Sequence, residues 1–212
     1  MTKIELNKKI AELAREWFYL VDRKKSNGVI QKIVDLCDPY LQKHPHDTDI
    51  WIKLALAVYV TSYSDDIKAI ECMNTILSYD PLNTYALIIL AYIESNCWHG
   101  ITDETFEKLC FVHVDDNEVM SMIEYIKSWY YAEHKNEELQ QQSLEKSIAL
   151  CQNHVSNYIN LAGMYTRQGK IVEGEKLKAI GLSNIKEERS ITTDIKYFDI
   201  TDINHFLEER IQ

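Results

Sequence analysis

The 212-residue sequence predicts an all-α fold of repeated antiparallel helix hairpins, and three observations carry that prediction. Apolar side chains recur at three- and four-residue spacing along most of the chain, the period of a helix with one buried stripe. Only 6 Gly and 3 Pro interrupt it, too few for a loop-rich or low-complexity chain. The punctuation itself repeats: His44-Pro45-His46-Asp47-Thr48-Asp49-Ile50-Trp51 lies over Asp80-Pro81-Leu82-Asn83-Thr84-Tyr85-Ala86-Leu87. In each, the proline stops one helix, Asp or Asn before Thr can cap the next, and a large apolar residue falls about one turn inside it.

These boundaries predict five units, residues 14–47, 48–83, 84–120, 121–154 and 155–188. In the first, Trp17 and Leu20 occupy the matching distances before Pro45, and Asn27-Gly28 stands where the hairpin would turn, a place where φ > 0 is useful. Pro39 falls inside its second helix and predicts a kink or a short helix. The second unit has Trp51, Leu54 and Ala55, then Ala69, Met73 and Ile76 before Pro81; the third has Leu87, Leu90 and Ala91. The fourth carries Val119, Met122, Ile123, Ile126 and Tyr130 on one stripe and Leu144, Ile148 and Cys151 on the next, with its register open by one residue. The fifth reads Tyr158, Leu161, Ala162, Tyr165 and a Gln168-Gly169-Lys170 turn. Its second helix has Gly174, Lys178 and Gly181 where predecessors carry Ala or larger apolar residues, so less apolar burial is expected there. Residues 189–212 leave the repeat; Thr201-Asp202 followed by Ile203, Phe206, Leu207 and Ile211 predicts an amphipathic capping helix near 202–211.

These units resemble the tetratricopeptide repeat family, whose pattern of Trp, Leu-small, aromatic, then Ala, Phe and Pro over about 34 residues describes a helix hairpin. The resemblance implies a right-handed superhelical solenoid in which the inward faces of the first helices line a concave groove. It assigns to that groove Tyr19, Ile52, Tyr59, Ile88, Tyr92, Tyr125, Trp129 and Asn160. Some family members hold an acidic peptide C-terminus through Lys, Arg and Asn at such sites. Here Lys25, Lys53 and Asn160 are the candidates, scattered over separate units, so the groove suits an extended or helical peptide held by side-chain burial instead.

Charge and missing motifs narrow the function. Thirty-three acids against 23 bases leave a net charge of -10, which opposes nucleic-acid binding. Residues 48–120 hold three bases and twelve acids, so a partner is expected to present basic residues around apolar anchors. No GxxxxGK[ST], GxGxxG, HExxH or GxSxG occurs, so no enzymatic activity and no cofactor are assigned. Cys97-Trp98-His99 and Cys110-Phe111-Val112-His113 imitate a zinc-ligand spacing. On antiparallel helices the two pairs stand on the order of 15 Å apart, so no metal is assigned. Paired acids such as Asp65-Asp66 and Asp115-Asp116 fit helix starts.

The opening MTKIELNKKIAELAREW alternates charged and apolar residues and does not read as a secretory signal. The longest apolar run, Ala86 to Ile93, is far short of a bilayer span, and no membrane association is expected. Five cysteines without a CxxC read as reduced thiols and predict a cytoplasmic protein. The expected function is a non-enzymatic module that binds a protein or peptide in an apolar, aromatic groove. A cytoplasmic chaperone of the same fold for a secreted or assembling protein is the first alternative. An enzyme or ligand sensor on an α-helical frame is disfavoured by the absent motifs.

Overall fold

The computed structural model describes residues 1–18, 23–59, 66–97, 100–153 and 155–184. The described residues form ten α-helices: α1 Lys3–Phe18, α2 Arg23–Leu41, α3 Thr48–Tyr59, α4 Asp66–Tyr79, α5 Thr84–Cys97, α6 Asp103–Phe111, α7 Asn117–Glu133, α8 Glu137–Leu150, α9 Val155–Arg167 and α10 Ile171–Ser183. None of them is long and apolar enough to cross a membrane. The chain divides into two compact units, Met1–Ile93 and Glu94–Gln212.

In the first unit α1 packs on α2, α2 on α3 and α3 on α4. A reciprocal capping box starts α1, with the Glu5 N–H donating to Thr2 Oγ1 and the Thr2 N–H donating to Glu5 Oε2. The α2 stripe Val29, Ile33, Cys37 and Leu41 is buried at every fourth residue. Pro39 lies in the last turn of α2 without stopping it, the helix running on to Leu41. Asn27-Gly28 is not the hairpin turn. Both residues lie inside α2, which runs Arg23–Leu41. Asp47 and Asn83 accept the backbone N–H groups of Ile50 and Ala86, which fixes the starts of α3 and α5.

Trp51 does not fill the seam of the second unit of the repeat. It is half-buried, and its Nε1–H donates 2.8 Å to the Pro45 carbonyl, pinning the incoming chain. Ile50, Ile52, Leu54 and Ala55 form the core there, all at or below 3% exposure.

In the second unit α6 packs on α7, α7 on α8, α8 on α9 and α9 on α10. The side chains of Thr102, Asp116 and Asn136 cap α6, α7 and α8. Because Asp116 is that cap, α7 begins at Asn117. Gly169, at φ +80, makes the α9–α10 turn.

Two carboxylates hold the segment that enters α6. Glu133 accepts the Ile101 N–H and the Ser95 hydroxyl, and Gly100, at φ +115, passes so close to Glu133 that a Cβ there would stand 2.5 Å from its Oε2. Glu94, 7% exposed, accepts the Thr102 N–H and the Thr102 and Thr105 hydroxyls. Burial pushes the Glu94 carboxyl above its ordinary value of 4.5, although these donors pull the other way. A raised folded-state value means that the native protein holds this proton more tightly than the unfolded chain, so the stabilisation present at low pH is lost as pH rises through it. Glu94→Gln removes that dependence. Denaturant titrations across acidic to neutral pH should therefore show the parent losing stability relative to Glu94→Gln as pH rises above 4.5. A difference that stays flat, or grows in the opposite sense, refutes the assignment.

Candidate functional site

The groove positions separate into a buried set and an accessible set. In the first unit, Ile52 is 3% exposed on α3, and Ile88 and Tyr92 on α5 are 0% and 4% exposed. Tyr59, half-buried at the end of α3, meets Tyr92 edge to face, with ring centroids 5.8 Å apart at 81°. Ile52 and Ile88 therefore act as packing residues in this state. Lys53 is engaged by Asp49 at 3.1 Å and Asn7 at 3.0 Å, which removes it as a ready ligand for a peptide carboxylate. Tyr19 and Lys25 add nothing here: Tyr19 lies outside the described residues, as does the Lys25 side chain.

The second unit keeps a more accessible arrangement. Tyr125 and Trp129 stand one turn apart on α7, an i,i+4 spacing that puts them on one face, and their rings meet edge to face at 4.8 Å and 72°. Tyr125 is buried to 7% exposure while Trp129 is half-buried. From α9 the exposed Asn160 donates through Nδ2 to Tyr125 Oη at 3.0 Å. The result is an aromatic pair with a phenol oriented by an amide, apolar on its ring faces and polar at its edge.

A polar seam that sequence reading missed holds this arrangement. Ser121 Oγ donates to the Ser147 carbonyl at 2.8 Å, Ser147 Oγ returns a bond to the Ser121 carbonyl, and Asn157 Nδ2 donates to Ser147 Oγ at 2.8 Å. All three residues are fully buried, at 0% exposure. Asn157 and Asn160 share α9 but face different ways, the first locking the helix to α8 and the second reaching Tyr125. The only hint in the sequence is the polar Ser121 and Ser147 beside the apolar stripes of α7 and α8.

Other chemistry-bearing clusters are already satisfied. An open cleft of about 600 Å³ lies along His44–Asp49 in the first unit, but Lys3 reaches Asp47 at 2.8 Å and Asp49 at 3.3 Å, and Tyr40 donates to Asp47. On the second unit Tyr130 stacks on Phe106 at 3.7 Å and donates to Asp103, a hydrogen bond that, together with burial, raises its phenol to about 12. Burial likewise pushes the Cys37 and Cys72 thiols up to about 12, the opposite of a reactive thiolate. Cys97 and Cys110 are exposed, His99 lies outside the described residues, and no metal-holding group of His, Cys, Asp or Glu occurs among the described residues.

No family model matches the chain, and no curated protein matches it in sequence. Its fold does match solved structures. A crystal structure of MamA aligns with TM-score 0.59 and 16% identity over 77% of this chain and 92% of that one. A second MamA crystal structure aligns with TM-score 0.58 and 16% identity over 88% and 96%. MamA is a tetratricopeptide-like helical protein, and this chain has the same all-α fold class. At that identity the likeness is one of fold.

Proposed function

We propose that the chain is a non-enzymatic protein-interaction module that takes an apolar peptide segment against the α7–α9 face formed by Tyr125, Trp129 and Asn160. The observation that carries this reading is the half-buried Trp129 set edge to face on a Tyr125 whose hydroxyl is held by the exposed Asn160. Aromatic side chains of limited exposure and fixed rotamer lose little entropy on binding and bury much area, which is why they dominate interaction energies. Asn160, at the rim, supplies a donor and an acceptor for a peptide backbone. The net charge of -10 favours peptides with Lys or Arg beside the apolar anchor.

Peptides selected from a random display library on the parent protein provide the test, measured by fluorescence anisotropy. Trp129→Ala should weaken the selected peptides by about 2 kcal/mol, roughly thirtyfold, mainly through faster dissociation and with little dependence on salt. Phe111, 75% exposed at the end of α6, serves as the control, and Phe111→Ala should leave binding unchanged. Selected peptides that bind Trp129→Ala as tightly as the parent would remove this face from consideration.

A further inference from the structure

The ring cluster between α6 and the end of α7 is satisfied inwardly but not outwardly. Tyr130 lies between two rings: Phe106 covers one face at 3.7 Å and 9°, and His134 stacks on the other at 4.0 Å and 27°. His134 Nδ1 stands 2.8 Å from the Tyr130 carbonyl, which can only accept, so this nitrogen carries the hydrogen and the ring is held in place. Its Nε2 lies 4.0 Å from Asp103 Oδ1, the same oxygen that takes the Tyr130 hydroxyl at 2.7 Å. The stack ends there in water, with the His134 side chain 51% and the Asp103 side chain 80% exposed.

What is left open has a definite chemistry. Glu107 follows Asp103 by one turn of α6, and its charge acts on the Tyr130 phenol, so a second carboxylate stands beside the stack. Residues 101–120 contain six acids and one lysine, and that lysine, Lys108, is engaged by Glu104 at 2.6 Å. Among the described residues no lysine or arginine forms an ion pair with Asp103 or Glu107. A fixed flat ring edged by carboxylate suits a planar cation. Guanidinium is weakly hydrated, stacks on aromatic faces and donates to a carboxylate through a fork, whereas an ammonium group is a strongly hydrated point charge.

We propose that the outer face of His134, with Asp103 and Glu107 beside the stack, is a docking point for an arginine side chain of a partner protein. The site is independent of the α7–α9 peptide face: Tyr130 follows Tyr125 by five residues, about 140° around α7, which puts the stack and the Tyr125–Trp129 pair on different flanks.

The test compares two fluorescein-labelled decapeptides of equal charge, one alternating arginine with glycine and the other lysine with glycine, by fluorescence anisotropy on the full-length chain in about 50 mM salt. The general attraction of an acidic protein serves both peptides alike, so the reading is the ratio of their affinities. The parent should bind the arginine peptide about threefold tighter or more. His134→Ala should bring that ratio to one, and Trp129→Ala should leave it unchanged. Asp103→Asn combined with Glu107→Gln should weaken the arginine peptide about three- to fivefold. Equal affinities for the parent, no binding of either peptide, a preference that persists in His134→Ala or vanishes in Trp129→Ala, or undiminished binding by the double variant each overturns the proposal.

Discussion

Replacing Gly181 by alanine should destabilise the protein, while the same replacement at Gly28 should stabilise it. Both glycines lie inside helices, where Gly→Ala gains roughly 0.5–1 kcal/mol from backbone entropy and propensity alone. What differs is the space around the new methyl group. At Gly28 nothing lies within 4 Å of the added Cβ, so the intrinsic gain of about 0.5–1 kcal/mol should appear undiminished. At Gly181 the Cβ would stand 2.5 Å from Tyr158 Cβ and 2.9 Å from its Cγ, at the root of a side chain only 4% exposed. No rotamer change relieves that contact, so α10 must move away from α9. At Gly174 the added Cβ would stand 2.9 Å from the Ala162 carbonyl oxygen, a backbone atom, and 3.0 Å from Thr166 Oγ1. Overpacking of this kind costs about 1–3 kcal/mol per site and exceeds the propensity gain. We expect a net loss of about 1–2 kcal/mol for Gly181→Ala and roughly 3 kcal/mol for Gly174→Ala with Gly181→Ala, read as shifts in urea midpoint at constant m. A stabilised Gly181→Ala would show that α9 and α10 are not in close contact.

These glycines also mark where reading the sequence stops short. In sequence Gly174 and Gly181 look like losses of apolar surface from a helix; in the fold they let two backbones approach. A one-dimensional pattern shows a missing side chain but not the neighbour that occupies its space. The helix starts were far more legible, because Asp47, Asn83 and Asp116 act on N–H groups two or three residues away and need no tertiary partner. Asn27-Gly28 misled for the converse reason, since a turn dipeptide is only a local preference and the packed stripe from Val29 to Leu41 continues the helix through it.

The groove positions divide along the same line. The run Ala86 to Ile93 is apolar at every position, and each of its residues is buried, at 5% exposure or less. With no polar face, its periodicity cannot distinguish core residues such as Ile88 from groove residues. On α7 the stripe is broken by Ser121, Glu124 and Ser128, and Tyr125 and Trp129, which the family resemblance assigns to the groove, share one face by their i,i+4 spacing. Glu124 and the two serines are nonetheless buried. Their partners lie on another helix or within an adjacent turn, and composition gives no sign of them.

Removing Lys127 and Lys146 together should cost far more than the sum of the single losses. Glu124, immediately before Tyr125 on α7, is 4% exposed, and its Oε1 receives Lys127 Nζ at 3.2 Å and Lys146 Nζ at 2.7 Å. The Lys146 side chain is 60% exposed, so its ion pair is screened by water, and Lys146→Ala alone should cost about 0–1 kcal/mol. Lys127, 13% exposed, also packs its stem, yet Lys127→Ala leaves Lys146 in place and should cost about 1 kcal/mol. The double replacement strands a buried carboxylate without either cation, a situation that costs about 3–5 kcal/mol. The excess over additivity, roughly 2 kcal/mol, measures how much one lysine compensates for the other. Adding Glu124→Gln to the double variant removes the stranded charge and should recover most of the loss, which separates electrostatics from lost packing. Urea denaturation of the parent, the two single variants, the double and the triple gives all the terms. Single losses that simply add, or a triple variant no more stable than the double, would show that Glu124 is not sustained by this pair of lysines.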